Sequence, residues 1–344
     1  MKLYYIGGFP PPYGGVTIKN RNLFTAIGRY GDIQKIDLNS IKRKNIIECL
    51  HFVKALIGRN NHYVIGVTGK KNKKRLCRLL YYVNKKALEK SVYFLMGGTS
   101  ADDIAADKQF QKYVSHFRCI YAETQSMCET LRKVGLSNVA YYPNCRFKPK
   151  SSLVKESCSE NKNSKSDEFK LNAVFFSRVC IDKGIDIIVE TAKETPDIAY
   201  HIYGEIEDHS DTIINEAVSN LKNFFYHGVF SGQEEEVISL LASYDVVLLP
   251  TRYKGEGVPG VLVESKIAGI PAIVSNVNYN SEIIQDGING IVLQENNSKM
   301  LESAIVELFN SAYLKRLSSN AFISANDYYV ESYLDSILKM LAIK

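Results

Sequence analysis

The chain has 344 residues, 45% of them hydrophobic and 23% charged, and this globular composition excludes a disordered or fibrous protein and favours two domains of about 150 residues each. The net charge of +6 is unevenly divided, because residues 1–160 carry 28 Lys and Arg against 11 Asp and Glu, which leaves the remainder acidic. We therefore expect the first half to meet an anionic partner, such as a phosphorylated substrate or an acidic lipid surface.

The cysteines, histidines and apolar runs indicate the compartment. Seven cysteines are present without a Cys-x-x-Cys pair, which is typical of a reducing environment. Six histidines show no zinc spacing, so we expect no metal site, and no cofactor is predicted. No apolar run reaches the roughly 18 residues that cross a bilayer, and the first residues do not resemble a signal peptide. The prediction is a cytoplasmic protein, with peripheral attachment to the inner face of the cell membrane left open.

The first half reads as alternating strands and helices. Leu3–Ile6 predicts a strand, Pro10–Gly15 a loop, and Val16–Ile27 a helix that Gly28 ends. Further apolar runs rich in β-branched and aromatic residues alternate with helical stretches such as 123–134. This alternation predicts a doubly wound α/β domain with a parallel sheet.

A change of composition predicts the domain boundary. Residues 148–170 are rich in Ser, Lys, Asn and Glu, as in a linker or long loop. The alternation of strands and helices restarts at Ala173, which predicts a second doubly wound domain. We place the domains at 1–165 and 166–325, followed by a terminal helix at 326–344 for which packing against the first domain is one option.

The stretch Leu248–Glu264 is the most informative for chemistry. It reads as a strand, a glycine-rich loop and a helix that begins near Val261. The glycines permit close approach of the backbone to a ligand, and a helix N-terminus offers N–H groups to a phosphate. Glu256 and Glu264 are eight residues apart and would lie on the ligand side. Without further residues, Glu264 would be read as a surface residue.

Further residues are present. Ser177–Gly184 contains Arg178 and Lys183 and resembles a Gly-Arg-x-x-x-x-Lys-Gly segment, with Ser177 where glycine is usual. Together with Glu256, Glu264 and the following Gly-x-Pro, this stretch resembles glycosyltransferase family 4. The resemblance covers about Leu171–Leu293. It implies the GT-B architecture, in which two Rossmann-like doubly wound domains face each other across a cleft.

The resemblance implies roles for individual residues. Arg178 and Lys183 would stabilise the charge on a departing diphosphate, and both are expected to face solvent. Glu256 would contact hydroxyl groups of the donor sugar, and Glu264 the ribose. The remaining donor-binding residues implied by the resemblance are Gly14, Gly15, Gly204, Val229, Phe230, Gly257, Val258, Pro259, Gly260 and Val261.

The implied function is that of a retaining glycosyltransferase. The donor would be a nucleoside diphosphate sugar, with UDP before GDP, and the acceptor a glycan or a polyprenyl-diphosphate-linked sugar in bacterial surface polysaccharide assembly. No catalytic base is assigned, since in this class the leaving phosphate is thought to deprotonate the acceptor. A nucleotide-sugar enzyme such as an epimerase, and a non-catalytic binding protein, are the alternatives.

The strongest run of positive charge lies at 70–86. Leu76, Leu79, Leu80, Val83 and Ala87 repeat beneath it at helical spacing. The segment therefore predicts either a helix that lies on an anionic membrane or a core helix with a solvated basic face, and charge does not decide between them. Nucleic acid is not expected as a partner, because no helix-turn-helix spacing, RNP-like motif or zinc finger accompanies the charge.

Overall fold

The chain folds into two compact units, seen here in a computed structural model that describes residues 2–11, 14–43, 45–58, 60–149 and 168–343. The first unit comprises residues 1–148, 255–258 and 328–344, and the second comprises 149–254 and 259–327. Most of the predicted linker, and Cys158, lie outside the described residues. No helix in the described part of the chain is both long enough and apolar enough to cross a bilayer.

The first unit is a six-stranded parallel sheet with helices. Its strands are β1 (Lys2–Gly7), β2 (Ile33–Asp37), β3 (Asn61–Gly66), β4 (Val92–Phe94), β5 (Cys119–Ala122) and β6 (Val139–Tyr141). Its helices are α1 (Gly15–Gly28), α2 (Leu38–Lys42), α3 (Ile46–Ile57), α4 (Lys70–Val83), α5 (Lys85–Leu88), α6 (Ser100–Ala105), α7 (Lys108–Val114), α8 (Gln125–Lys133) and, at the other end of the chain, α16 (Glu331–Met340). The strands are ordered β2-β1-β3-β4-β5-β6, so the order reverses between β1 and β3.

The second unit repeats the plan with a different strand order. Its strands are β7 (Leu171–Phe176), β8 (Ile198–Tyr203), β9 (Phe224–Tyr226), β10 (Val246–Leu249), β11 (Ala272–Ser275) and β12 (Gly290–Leu293). Its helices are α9 (Ile185–Glu194), α10 (Asp211–Asn220), α11 (Glu234–Ala242), α12 (Gly260–Ile267), α13 (Asn280–Ile283), α14 (Ser298–Glu307) and α15 (Ser311–Ser324). The order β12-β11-β10-β7-β8-β9 is that of the Rossmann fold, and the prediction of two doubly wound α/β domains is confirmed.

Each unit has a core of its own. In the second unit, β-strand residues such as Phe175 and Ile202 pack against α9 and α14 through Ile188 and Ile305. In the first unit, α16 and the residue before it supply part of the core, since Val330, Leu334 and Ile337 are buried with the residues of β1, β4 and α1. Apolar residues at helical spacing in α16 therefore form a face that the first unit covers.

The basic run at 70–86 is only partly a solvated surface. Leu76, Leu80 and Ala87 are buried as core residues, whereas Leu79 and Val83, predicted to lie beneath the charges with them, are exposed. Lys73 is buried, and its Nζ lies 3.2 Å from Asp103 Oδ2 and donates to Ser100 Oγ at 2.8 Å. Lys70 and Lys74 form ion pairs with Asp103 and Asp107. Several of these cations thus bind carboxylates of the protein itself, one on α6 and one at the residue that precedes α7.

Candidate functional site

Strand order makes one edge of the second unit the candidate ligand site. The order of its sheet reverses between β7 and β10, which pair in parallel. The loops that follow these two strands leave in opposite directions around the sheet, and in open α/β folds the crevice between such loops is where ligands bind. The loop after β7 contains Arg178 and Lys183, and the loop after β10 is the glycine-rich stretch.

Lys183 lies at the end of a tight turn in the loop after β7. Residues 181–183 form one turn of 3₁₀ helix, and Gly184 follows with a φ of +82°. A Cβ atom on Gly184 would lie 2.1 Å from the carbonyl oxygen of Pro250, so only glycine lets the two loops approach so closely. Lys183 is 3% exposed. Our expectation that it faces solvent is wrong, because this close packing of the two loops covers its side chain.

Arg178 and Lys183 meet at one aromatic ring. The Arg178 Cζ lies 5.7 Å and the Lys183 Nζ 5.3 Å from the centroid of the Tyr253 ring, in the range of cation–π contacts. Arg178 also forms an ion pair with Glu207. Burial acts to lower the pKa of Arg178, but the hydrogen bond and charge of Glu207 outweigh it and raise the pKa. The structure therefore brings the two predicted cations together and keeps the guanidinium charged.

The loop that carries Tyr253 is anchored to the loop after β7. Arg252 donates from both Nη atoms to the Asp186 carboxylate, at 2.7 and 2.9 Å, and its N–H donates to the Asp182 carbonyl at 2.7 Å. The Oγ1 of Thr251 donates to the same carbonyl at 3.1 Å. Arg252 and Tyr253 were not predicted from the sequence, although an arginine and an aromatic residue beside the glycines were an available signal. These contacts fix where the two cations sit.

Helix α12 supplies a second feature suited to phosphate. It begins at Gly260, after Pro259, and its first turn contains no acidic side chain. The leading N–H groups of a helix attract an anion, and they do so best where no carboxylate competes. Val261 and Glu264 on this helix are both 8% exposed, so Glu264 is not the surface residue that an isolated helical glutamate would be. The loops and helix together are chemically suited to a diphosphate.

The ends of β8 and β9 bring together three more predicted residues. Gly204 has a φ of +148°, and its N–H donates to the Gly228 carbonyl at 2.9 Å. A Cβ on Gly204 would lie 1.8 Å from the Ser177 carbonyl oxygen, which again requires glycine. Directly after Gly228, Val229 is exposed, and the ring of Phe230 lies 6.2 Å from the ring of Phe176. Gly204, Val229 and Phe230 thus share one edge of the second unit.

The predicted residues 256–258 cluster with the first unit. Asn144 donates from Nδ2 to the Val258 carbonyl at 2.9 Å, and a Cβ on Gly257 would lie 2.1 Å from Glu123 Oε2. Gly15 lies near the same amide, since its Cβ position is 3.9 Å from Asn144 Nδ2. Gly14 has an extended backbone with φ of −177° and open space around it. The structure therefore places Gly14, Gly15, Glu256, Gly257 and Val258 in the first unit, and the other predicted site residues in the second.

Three buried charged residues beside this segment were not predicted from the sequence. Lys19 donates from Nζ to Glu123 Oε1 at 2.6 Å, and the two side chains are 1% and 6% exposed. Arg146, 1% exposed, donates from Nη1 to Asn144 Oδ1 at 3.0 Å and so orients the amide that binds Val258. Glu123 follows β5 directly, and a carboxylate at the end of a parallel strand was the signal available in the sequence.

Known proteins resemble the chain in both sequence and fold. Residues 159–323 match the family described as glycosyl transferases group 1. An uncharacterized 41.2 kDa protein in the cps region of Klebsiella pneumoniae is 27% identical over 51% of this chain and 49% of its own length. The UDP-Gal:alpha-D-GlcNAc-diphosphoundecaprenol alpha-1,3-galactosyltransferase of Escherichia coli is 28% identical over 36% of this chain and 31% of its own.

Similarity of fold extends over the whole chain. The crystal structure of Anabaena Alr3699/HepE in complex with UDP superposes with a TM-score of 0.73 at 14% identity, covering 99% of this chain and all of that one. The curated relatives, by contrast, are matched over about half of their length or less. The chain therefore has the GT-B fold, and residues 159–323 carry its similarity to the glycosyl transferases group 1 family.

Proposed function

We propose that the chain is a retaining glycosyltransferase of family 4 that takes its sugar from a nucleoside diphosphate sugar, a UDP-sugar before a GDP-sugar. The observation that carries the proposal is the pair of cations, Arg178 and Lys183, held against Tyr253 where strand order reverses in the second unit. The uncapped N-terminus of α12, which follows the neighbouring strand, adds a second phosphate-binding feature.

The proposed chemistry follows from where charge develops. When the bond between the anomeric carbon and the phosphate breaks, the diphosphate gains negative charge, and Arg178 and Lys183 stabilise it. The burial of Lys183 strengthens this effect, because a charge interacts more strongly where water is excluded. The leaving phosphate takes the proton of the acceptor hydroxyl, so the reaction as proposed needs no side-chain base.

The remaining residues keep the roles that the sequence implied. Glu264, buried on α12, binds the ribose, and the backbone from Val258 to Val261 binds the phosphates. Glu256 holds hydroxyl groups of the donor sugar. Val229 and Phe230 border the base, and the exposed side chain of Val229 leaves it open to a ligand.

The names of relatives support the choice of donor and acceptor. The E. coli relative is named for a UDP-Gal donor and a diphosphoundecaprenol-linked acceptor, and the Anabaena structure contains UDP. The Klebsiella relative comes from a cps region. We therefore place the activity in the assembly of a bacterial surface polysaccharide, with a lipid-linked sugar as acceptor.

A thermal-shift series tests the donor site. UDP, GDP, ADP and CMP are added in turn to the wild-type chain and to the Glu264→Ala and Glu190→Ala variants, the last of which alters an exposed glutamate on α9. A ligand at 100 times its Kd stabilises the folded state by about 2.7 kcal/mol. We expect UDP to raise the Tm of the wild type and of Glu190→Ala but not of Glu264→Ala. Absence of a shift with every nucleotide would contradict the proposal.

A second measurement separates transfer from the alternative activities. Free UDP is measured when the chain is mixed with a UDP-sugar in the presence and absence of a lipid-linked acceptor. A transferase releases UDP in proportion to the acceptor supplied, an epimerase releases none, and a non-catalytic binding protein leaves the donor unchanged.

A further inference from the structure

Helix α3 presents an apolar face to solvent. Ile46, Leu50, Val53 and Ile57 recur at intervals of three and four residues, the spacing that aligns side chains along one side of a helix. These side chains are 74%, 66%, 52% and 67% exposed. Such a stripe ordinarily faces a protein core, and a continuous exposed apolar face marks an interaction surface.

The opposite side of α3 fixes this orientation. Glu48 Oε1 accepts a hydrogen bond from the Asp37 N–H at 2.6 Å, and His51 Nε2 lies 3.3 Å from Gln34 Oε1. Ala55 and Leu56 are buried. Turning the apolar stripe inward would break these contacts and expose Ala55 and Leu56, so the first unit by itself does not cover the stripe.

The end of α4 also carries exposed apolar residues. Asn84, which follows the last residue of α4, donates from Nδ2 to the Gly58 carbonyl at 2.8 Å, directly beyond the end of α3. This bond places the last turn of α4 beside the last turn of α3. Tyr82 and Val83 in that turn are 69% and 47% exposed. Exposed apolar side chains are therefore present at the end of α4 as well as along α3.

Positive charge surrounds the apolar surface. Residues 42–86 contain 13 Lys and Arg and a single acidic residue, Glu48, which faces the sheet through its bond to Asp37. Lys42 and Arg43 precede α3, Lys54 lies one turn after Leu50 on the exposed side, and all three are exposed. Lys85 and Lys86 are exposed beyond the end of α4. Long cationic side chains beside an apolar stripe reach outward to anionic head groups.

We propose that α3 lies in the plane of an anionic bilayer surface, with Ile46, Leu50, Val53 and Ile57 inserted among the lipids and the surrounding Lys and Arg on the head groups. An amphipathic helix of this kind buries its apolar face roughly 5–10 Å deep at the acyl boundary. A second copy of the chain is a poorer occupant, because symmetric pairing would bring two basic borders together. The proposal does not depend on the transfer activity.

This proposal moves the membrane contact away from the start of the basic run. Lys70, Lys73 and Lys74 are in ion pairs with Asp103 and Asp107, so they offer less charge to lipid than the sequence suggested. Helix α3, which joins apolar exposure to positive charge, is the element that fits the bilayer.

The chain lacks tryptophan, which allows a site-specific test. Leu50→Trp places the sole indole on the apolar stripe, and Ile323→Trp places it at a 64% exposed position of the second unit as the matched control. Each variant is mixed with vesicles of equimolar phosphatidylcholine and phosphatidylglycerol. We expect the emission of Leu50→Trp to shift to shorter wavelength and to be quenched by brominated lipid, with Ile323→Trp unchanged. No shift at position 50, or equal shifts at both positions, would overturn the proposal.

Vesicle sedimentation gives an independent measure. Replacement of Ile46, Leu50, Val53 and Ile57 by Ser should lower the partition coefficient at least tenfold. The matched control carries Ser at four exposed apolar positions of the second unit, Val218, Ile288, Val306 and Ile323, and should bind as the wild type does. Equal loss in both variants would contradict a role for α3.

Salt and self-association separate the other occupants. Raising NaCl to about 0.5 M screens charge but not apolar burial, so binding should weaken and persist. Complete loss of binding would mean that charge alone holds the lipid. If sedimentation velocity without lipid shows a dimer of the wild type that the four Ser replacements dissociate, a second copy covers the stripe and the proposal fails.

Discussion

The two units use the same kind of sheet edge in opposite ways. In the first unit strand order reverses between β1 and β3, and the edge there is filled by Asn20, whose Nδ2 donates to the Gly8 and Gly66 carbonyls at 2.8 and 2.9 Å. In the second unit the reversal lies between β7 and β10, and the adjoining loops hold Arg178 and Lys183 against Tyr253. At the first edge Gly66 lies against the Asn20 side chain, and at the second Gly184 lies against the Pro250 carbonyl of the neighbouring loop.

The comparison shows that strand order provides a crevice, whereas the side chains that line the crevice determine whether it suits a ligand. A strand reversal creates a crevice in each unit. Asn20 is fully buried, and its Oδ1 also accepts from the Tyr5 hydroxyl, so its polar groups are already satisfied. In the second unit cations lie beside the start of a helix, a combination that attracts an anion.

The largest expected effect is on turnover in the second unit. Arg178→Ala and Lys183→Ala should each lower kcat by about 100- to 1,000-fold, the usual loss when one preorganised group that stabilises developing charge is removed. Lys193→Ala, which removes an exposed cation of α9 paired with Glu190, is the control and should retain activity. Steady-state kinetics with a UDP-sugar measures the effect. Turnover near that of the wild type would remove the two cations from the diphosphate site.

Because Lys183 is buried, its variant needs a check on folding. Lys183→Met retains the apolar part of the side chain and should keep the Tm of the wild type closely while losing the same activity. A large fall in Tm for both replacements would mean that the lysine acts chiefly on stability.

The second effect concerns stability of the first unit. Asn20→Ala should lower the free energy of unfolding by about 2–3 kcal/mol, because it leaves the buried Gly66 carbonyl and Tyr5 hydroxyl without this partner. Asn326→Ala, at an exposed position, is the control and should change stability by less than about 0.5 kcal/mol. Denaturant titration measures both. Loss of UDP binding without loss of stability would identify the first edge as a ligand site.

The smallest effect is a dependence on pH in the second unit. His201 stacks on His227 with Nδ1 and Nε2 3.0 Å apart, and burial, followed by the charge of His227, lowers the pKa of His201 from 6.5 to about 4. As the pH falls, His201 therefore takes up a proton near pH 6.5 in the unfolded chain but only near pH 4 in the folded chain. The free energy of unfolding should therefore decrease as the pH falls from 6.5 to 4, by roughly 1 kcal/mol after allowance for solvent screening of this partly exposed pair.

Thermal unfolding between pH 7 and pH 4 checks the sign. The Tm of His201→Asn should depend less on pH than that of the wild type. The control His51→Asn, in the first unit, should keep the fall in Tm that His201 causes. A wild-type Tm that rises as the pH falls would contradict the assignment.

Local sequence patterns predicted the strands, the helices and the glycines of the candidate site. They did not predict which charged side chains are buried. The alternation of strands and helices and the glycines at 204, 257 and 260 were visible in the sequence, because backbone conformation depends on neighbours in the chain. The burial of Lys183 was not visible, since it depends on the Pro250 carbonyl packing against Gly184. The anchoring role of Arg252 depends in the same way on a residue of another element, Asp186 on α9.

Helix α3 shows a different limit. Its spacing of Ile46, Leu50, Val53 and Ile57 is that of an ordinary core helix, and periodicity does not say whether the apolar side faces the protein. Only the contacts of Glu48 and His51 with the first unit reveal that the stripe points outward. The strand order of each sheet is likewise a tertiary property that alternation leaves open.

Helix α16 has a consequence for biosynthesis. Domains usually fold in the order in which they leave the ribosome, the N-terminal one first. Here Val330, Leu334 and Ile337 complete the core of the first unit, yet they are translated after the whole of the second. The second unit can therefore complete its fold first, while the core residues of the first unit that α16 covers stay exposed until α16 is synthesised.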